Sequence, residues 1–206
     1  RSSKATQESD VFSMAVLVFE LLTFNHPYVG DLIKESDPEE EDNAYKGLKD
    51  YVFKKDTSNP MKNRVFFDVF VTNRLEELFN TMFVEGLFDK YQRPSSKDFY
   101  IELYSILDNL INCTSCGMIY PDTKHTKCPQ CGANNDVVSI EFYQKVCNKD
   151  DCKDYLVSKR VYDFSKKLIN LEFRNMYGKH HEKDAIFASL QILKDEEQAN
   201  FYINKK

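Results

Sequence analysis

Residues Ser9 to Phe24, SDVFSMAVLVFELLTF, constrain this chain more than any other stretch, because apolar side chains occupy every face of a 3.6-residue helix. Such a helix has to be enclosed by protein on all sides. It is too short and, with Asp10 and Glu20, too charged to cross a bilayer, which takes about 20 apolar residues. Ser9 offers a hydroxyl to the first free backbone amides, and His26-Pro27 bars continuation past Asn25. A buried central helix is expected. The polar residues Arg1 to Glu8 supply no neighbours for it, so the expectation is a fragment whose missing partners lie upstream.

A chain of 206 residues with 42% hydrophobic and 14% aromatic residues can bury a real core, in one large domain or several small ones. The net charge of −5 gives no reason to bind nucleic acid or an anionic membrane. The absence of a signal-peptide pattern and of an 18-residue apolar run leads to the expectation of a soluble, cytoplasmic protein without membrane contact.

Beyond the turn at Asn25 to Gly30, the run ESDPEEED (Glu35 to Asp42) places six carboxylates in eight residues and reads as a solvated loop, with a docking surface for a basic partner or a cation site as the alternative. Asn43 to Lys55 allows a weak helix or strand, and KKDTSNPMKN reads as loop. Thr72 can cap a second helix whose Leu75, Leu78, Phe79, Met82 and Phe83 share one face, with Gly86 at its C-terminus. Ser95 and Asp98 make a capping box for a third, carrying Phe99, Leu103, Ile106, Leu107 and Leu110. The three helices are expected to pack together.

The run from Ser9 to Thr23 followed by His26-Pro27-Tyr28 resembles the central helix of the large lobe of eukaryotic-type serine/threonine protein kinases. Asn80-Thr81-Met82-Phe83 and Tyr91-Gln92-Arg93-Pro94-Ser95 resemble the later segment of that lobe, about 70 residues on and in the right order. The likeness is greatest to bacterial kinases in which a zinc ribbon follows the last helix. It implies that Asp10 anchors the backbone of the catalytic loop and that Arg93 pairs with the glutamate of an A-P-E segment, so both support the catalytic loop structurally. Ala15 stands where the family usually has glycine, and Phe12 where tryptophan is common. The Gly-rich loop, strand lysine, H-R-D aspartate and D-F-G that phosphoryl transfer needs are not among these residues. The resemblance therefore assigns no catalytic residue to this chain and routes ATP and Mg²⁺ through an absent N-terminal kinase portion.

Cys113-Thr-Ser-Cys116-Gly117 and Cys128-Pro-Gln-Cys131-Gly132 are two C-x-x-C knuckles, each followed by glycine and separated by eleven residues. Two thiolates from one tight turn cover one edge of a tetrahedron, and the glycine allows the left-handed dihedral that aims amides at sulfur. Cys113, Cys116, Cys128 and Cys131 are expected to hold a structural Zn²⁺ in a ribbon, with Met118 to Tyr120 as a strand and Pro121-Asp122 as a turn. His125 is a lesser candidate ligand. Lys124, His125 and Lys127 form a small basic cluster opposed by Asp122 and Asp136, too little for nucleic-acid binding. Cys147 and Cys152 read as two ordinary thiols in a hairpin; a second zinc site with His180-His181 is the alternative.

From Asn135 on, the apolar period becomes two, through Val138, Ile140 and Phe142, through Ile169, Leu171 and Phe173, and through Ile186 to Ile192. Tyr155 to Tyr162 and Asn200 to Ile203 add strands, with NKDD, YGKHH and KDEE as turns. The expected architecture is α+β and multidomain: kinase large-lobe helices over 1–111, a zinc ribbon over 112–134 and a small antiparallel β module over 135–206. The function this implies is the C-terminal portion of a kinase, with the ribbon and β module recognising a protein substrate or signalling partner. The alternative is a pseudokinase-derived scaffold that only binds protein partners.

Overall fold

The computed structural model describes residues 6–34, 38–121, 127–134, 137–148, 151–163, 168–172, 186–192 and 199–203. The chain divides into two compact units, 1–106 and 107–206. Among the described residues no helix is long and apolar enough to cross a membrane.

Helix α1 (Gln7–Thr23) begins one turn earlier than the expected Ser9 cap. Thr6 is the N-cap, accepting from the Ser9 amide, while the Ser9 hydroxyl accepts from the Thr6 amide at 2.9 Å, a reciprocal pair that satisfies two end amides. The helix stops at Phe24, whose left-handed φ of 56° turns the chain toward His26-Pro27. Its buried line is Ala15, Phe19 and Thr23, four residues apart. Phe19, with no exposed surface, is ringed by Tyr51, Phe53, Phe67, Phe79 and Phe83 at centroid separations of 5.2 to 6.2 Å. Enclosure on all sides is not what the unit provides: Leu17, Leu21 and Phe24 are 58%, 74% and 73% exposed and share one stripe with Asp10 and Ser13.

The acidic run is also corrected. Pro38 to Asp42 belong to helix α3 (Pro38–Tyr45), which follows the short α2 (Asp31–Lys34). Pro38 opens the helix with its φ already set, and Glu39 to Glu41 lie in the first turn, where carboxylates complement the exposed amides. Pairs four residues apart, Asp42 with Lys46 and Glu41 with Tyr45, brace the last turn. Glu35 to Asp37 lie outside the described residues.

Past Gly47, in the left-handed region at φ 71°, the stretch that allowed a helix or strand is a series of turns that buries Tyr51 and Val52. The following loop holds a buried asparagine. Asn59 donates to the Tyr28 carbonyl at 2.7 Å and the Asp50 carbonyl at 3.0 Å, and accepts from the Gly30 amide at 3.1 Å. A Cβ on Gly30 would meet Asn59 Oδ1 at 2.2 Å, so glycine is what permits this close approach. Asp50 accepts from Lys54 at 2.8 Å and from the amide and hydroxyl of Ser58, and these bonds lower its carboxyl to about 2.

Helix α4 (Val65–Phe70), which the apolar pattern did not resolve, presents Phe67 to Phe19. Helix α5 (Asn73–Asn80) is capped by Thr72 as expected and buries Leu75, Leu78 and Phe79. It widens into a π turn over Thr81–Glu85 and runs on as α6 (Gly86–Phe88). Gly86 is therefore not a left-handed cap, since its φ is −67°. A Cβ there would stand 2.8 Å from Arg93 Cγ, so its role is close packing. A 3₁₀ turn at Lys90–Gln92 leads to α7 (Ser96–Asp108), opened by the Ser95–Asp98 capping box and buried through Phe99 against Phe79 at 5.9 Å. The expected packing of α1, α5 and α7 runs through Phe19, Phe79 and Phe99.

The second unit is strands. β1 (Leu110–Asn112) pairs antiparallel with β2 (Ile119–Pro121), so the third helix stops at Asp108 and Leu110 is in a strand. β3 (Val137–Asn148) and β4 (Asp151–Asp163) form a long antiparallel hairpin, and β5 (Leu168–Glu172), β6 (Ile186–Ile192) and β7 (Ala199–Ile203) form an antiparallel sheet in that order. The period of two anticipated β3, β5 and β6, and the further candidates Tyr155 to Tyr162 and Asn200 to Ile203 fall in β4 and β7; of the expected NKDD turn, Asn148 and Asp151 lie in strands. Phe173 and the YGKHH and KDEE segments lie outside the described residues.

Phe19→Ala is expected to destabilise the first unit by about 4 kcal/mol in urea unfolding, since it removes a ring from a packed cluster. Leu21→Ala, on the exposed stripe, is expected to change stability by under about 0.5 kcal/mol. Because the folded carboxyl of Asp50 is lowered, its bonds stabilise the fold above about pH 4 and are lost as pH falls toward 2. Asp50→Ala should cost about 1 kcal/mol at pH 7, with the gap from the parent closing below pH 4.

Candidate metal centre

Each knuckle is fixed by its own backbone. The Cys113 carbonyl accepts from the Gly117 amide at 2.9 Å and the Cys113 amide donates to the Met118 carbonyl at 2.9 Å; Cys128 repeats this with Gly132 at 2.9 Å and Ala133 at 2.8 Å. Both turns need a left-handed residue, supplied by Gly117 at φ 75° and Gly132 at φ 73°. The ladder Asn112↔Ile119 closes the first knuckle and the bridge Lys127↔Asn134 closes the second. Ile111 and Tyr120, paired across β1 and β2, are buried beneath.

These two turns bring four sulfurs within 4.8 Å of one another. Cys113 and Cys131 sulfurs are 3.7 Å apart and Cys116 and Cys128 sulfurs 3.6 Å, far beyond the bond length of a disulfide, about 2.0 Å. An ion with metal–sulfur bonds of about 2.3 Å sets tetrahedral sulfurs about 3.8 Å apart, so the spacing fits a four-thiolate metal ion. Cys113 and Cys128 are buried while Cys116 and Cys131 are exposed, so each knuckle offers one inner and one outer ligand. The electrostatics ask for a cation. The amides of Cys116 and then Ser115 aim at the Cys113 sulfur and lower its thiol to about 6. Cys116 receives one amide, from Met118, but partial desolvation by the surrounding atoms and the neighbouring Cys131, Cys128 and Cys113 sulfurs outweigh it and push the thiol up to about 12. Four sulfurs this close do not all ionise unless a positive charge sits among them.

No protein-family model, curated protein or solved structure matches this chain. What it does is read from its own residues.

The remaining site residues are placed as follows. Asp10 lies exposed in the first turn of α1, as expected for a carboxylate near a helix N-terminus. Arg93 is half-buried; its Nε donates to the Gly86 carbonyl at 2.7 Å, its Nη1 to the Glu8 carbonyl at 2.9 Å, and its guanidinium lies 4.6 Å from the Phe12 ring. Arg93 thus bolts the segment after α6 to the first turn of α1. His125, Lys124, Asp122, Asp136, His180 and His181 lie outside the described residues.

Cys147 and Cys152 are not free thiols: they form a disulfide, which corrects the sequence reading. Strands β3 and β4 are joined through only Lys149 and Asp150, so Cys147 falls directly opposite Cys152, with Cα atoms 4.1 Å apart as in the narrow pairs of an antiparallel ladder. The signal was present as C-x4-C centred on a turn between two period-two runs.

Titration of the reduced chain with Co²⁺ is expected to saturate at one equivalent, with sulfur-to-metal charge-transfer absorption. Cys113→Ser or Cys128→Ser should weaken that binding at least tenfold, whereas Cys147→Ser with Cys152→Ser leaves it unchanged.

Proposed function

We propose that this chain is the C-terminal portion of a bacterial serine/threonine protein kinase: the helical part of the large lobe, a zinc ribbon on Cys113, Cys116, Cys128 and Cys131, and β strands that recognise a protein substrate or signalling partner. One observation carries the reading. The two segments that resemble the kinase lobe, far apart in sequence, meet in space, with Arg93 of the R-P-S segment hydrogen-bonded to Glu8 and stacked on Phe12 at the head of the central-type helix. The stripe of Asp10, Ser13, Leu17, Leu21 and Phe24 further supports it, as a face for the N-terminal kinase portion to cover. In this proposal Asp10 heads that face, free to accept hydrogen bonds from the catalytic loop. ATP and Mg²⁺ belong to the N-terminal portion, and the work of this chain is to hold and orient.

Zinc is the metal proposed because four cysteines in two C-x-x-C-G turns close the coordination sphere and leave no position for water. A structural ion supplies folding energy here and no chemistry.

A specific observation favours a second reading, a pseudokinase scaffold that only binds protein. Arg93 already gives Nε and Nη1 to carbonyls of its own unit, leaving little of its fork for the glutamate that the family pairs with it.

The complete protein is the test. Purified with its metal, it should contain one equivalent of zinc. It should phosphorylate a serine/threonine substrate, with activity reduced at least tenfold by Asp10→Ala and substrate recognition reduced by deleting 112–206. Zinc below half an equivalent sinks the ribbon; activity absent from the parent protein selects the scaffold; activity unchanged in Asp10→Ala removes the role given to that residue.

A further inference from the structure

The β3–β4 hairpin is built in two halves of unequal support. Near its base Arg160 is buried and pairs with Asp108 at 2.9 Å, the two side chains being 8% and 12% exposed, and Val161 and Tyr162 are half-buried beside it. The register shifts between Phe142 and Tyr143, and beyond that shift the described side chains lie in the open. Among the described side chains of the distal half, Tyr143, Val146, Cys147, Cys152, Lys153, Asp154 and Tyr155 are all exposed. Their placement covers both faces, because Tyr143 and Cys147 point one way and Val146 and Tyr155 the other. Among the described residues, β3 and β4 have ladder bonds only to each other. A two-stranded ribbon on its own is marginal in water. One covalent bond, Cys147–Cys152, crosses it next to the turn.

We propose that this disulfide is a dithiol-sensitive clamp on the distal half of the hairpin, residues 143–156. Formed, it keeps the two strands in register; opened, that half frays while the base and the cysteine cluster keep their structure. Both cysteines are exposed, so an external thiolate can reach either sulfur. The thiolate of a dithiol attacks one sulfur and expels the other as a thiolate; the second thiol of the reductant then attacks its own sulfur in the mixed disulfide, closing the reductant's disulfide and expelling the remaining cysteine as a thiolate. Two electrons and two protons pass to Cys147 and Cys152, and the reductant leaves as its own disulfide. The four cluster cysteines offer no sulfur–sulfur bond, so this exchange acts on one site only. In reducing compartments, disulfides that do form are typically redox-sensing or catalytic, and exposed ones are the labile kind. The inference does not depend on the kinase reading.

The experiment uses the full chain purified in air with its metal. Native alkylation is followed by mapping of the labelled cysteines before and after millimolar dithiothreitol, alongside hydrogen exchange by mass spectrometry. The peptide carrying Cys147 and Cys152 should take no label before reduction and two after. Exchange over 143–156 should then rise at least ~10-fold, with the amides of 110–121 and 159–163 changing less than ~2-fold. The doubly substituted Cys147→Ser, Cys152→Ser chain should exchange fast in that half from the outset and ignore the reductant. Label entering both cysteines before reduction, or exchange that reduction leaves unchanged, overturns the clamp. A rise spread evenly over the whole second unit also overturns it, because the bond would then hold the unit and not the ribbon. These wild-type measurements decide the matter even if the double variant fails to fold.

Discussion

Everything in the first unit is arranged around one ring. Phe19 packs edge-on or tilted against five aromatic neighbours drawn from the 51–53 turns, α4, α5 and the π turn. Each such contact adds about 0.5 to 1.5 kcal/mol to the burial of apolar area. Offset and edge geometries also fix direction, so the cluster sets the angles at which these segments meet. The widening of α5 into a π turn belongs to the same constraint, since it carries Phe83 to Phe19, Tyr51, Tyr28 and Phe12 at once.

Among its described side chains the second unit shows no comparable core. Its buried described residues are Ile111, Cys113, Tyr120, Pro121, Cys128 and Arg160. Small modules with so little apolar burial are held by metals or disulfides, and this unit has candidates for both, at different places. The four-cysteine cluster lies between the knuckles, and the disulfide crosses the hairpin near its tip. Between them stands the Asp108–Arg160 ion pair, which joins the end of α7 to β4 with little access to water. Breaking one member of such a pair leaves a buried charge, which is costly.

Where local chemistry decides structure, the sequence was readable. The Thr72 cap, the Ser95–Asp98 box, the two C-x-x-C-G turns and the strands of period two each depend on neighbours within a few residues. Long-range features were not readable. Asn59 looks like any loop asparagine until the Tyr28 and Asp50 carbonyls are brought to it, and Arg93 looks like a surface charge until Glu8 arrives. Gly86 resembled a helix cap because the space it leaves for Arg93 is invisible in one dimension. The acidic run misled through net charge: repulsion argues for an extended loop, but Pro38 and three carboxylates at a helix N-terminus reverse the balance. The apolar pattern of α1 marked it as a core helix, yet could not say which stripe the unit itself would cover.

The Arg93–Glu8 bond spans 85 residues, and Tyr28 reaches Phe83 across 55. Contacts this distant form late, because the loop between their ends must close first. On a ribosome adding 5–20 residues per second, helix α1 emerges well before the residue that seals its first turn, by roughly 4 to 17 s. During that interval Phe19 has neither α4 nor α5 to pack against. The chain thus has a built-in period of exposed hydrophobic surface, so its yield in cells should depend on chaperones and on the speed of translation between α1 and Arg93.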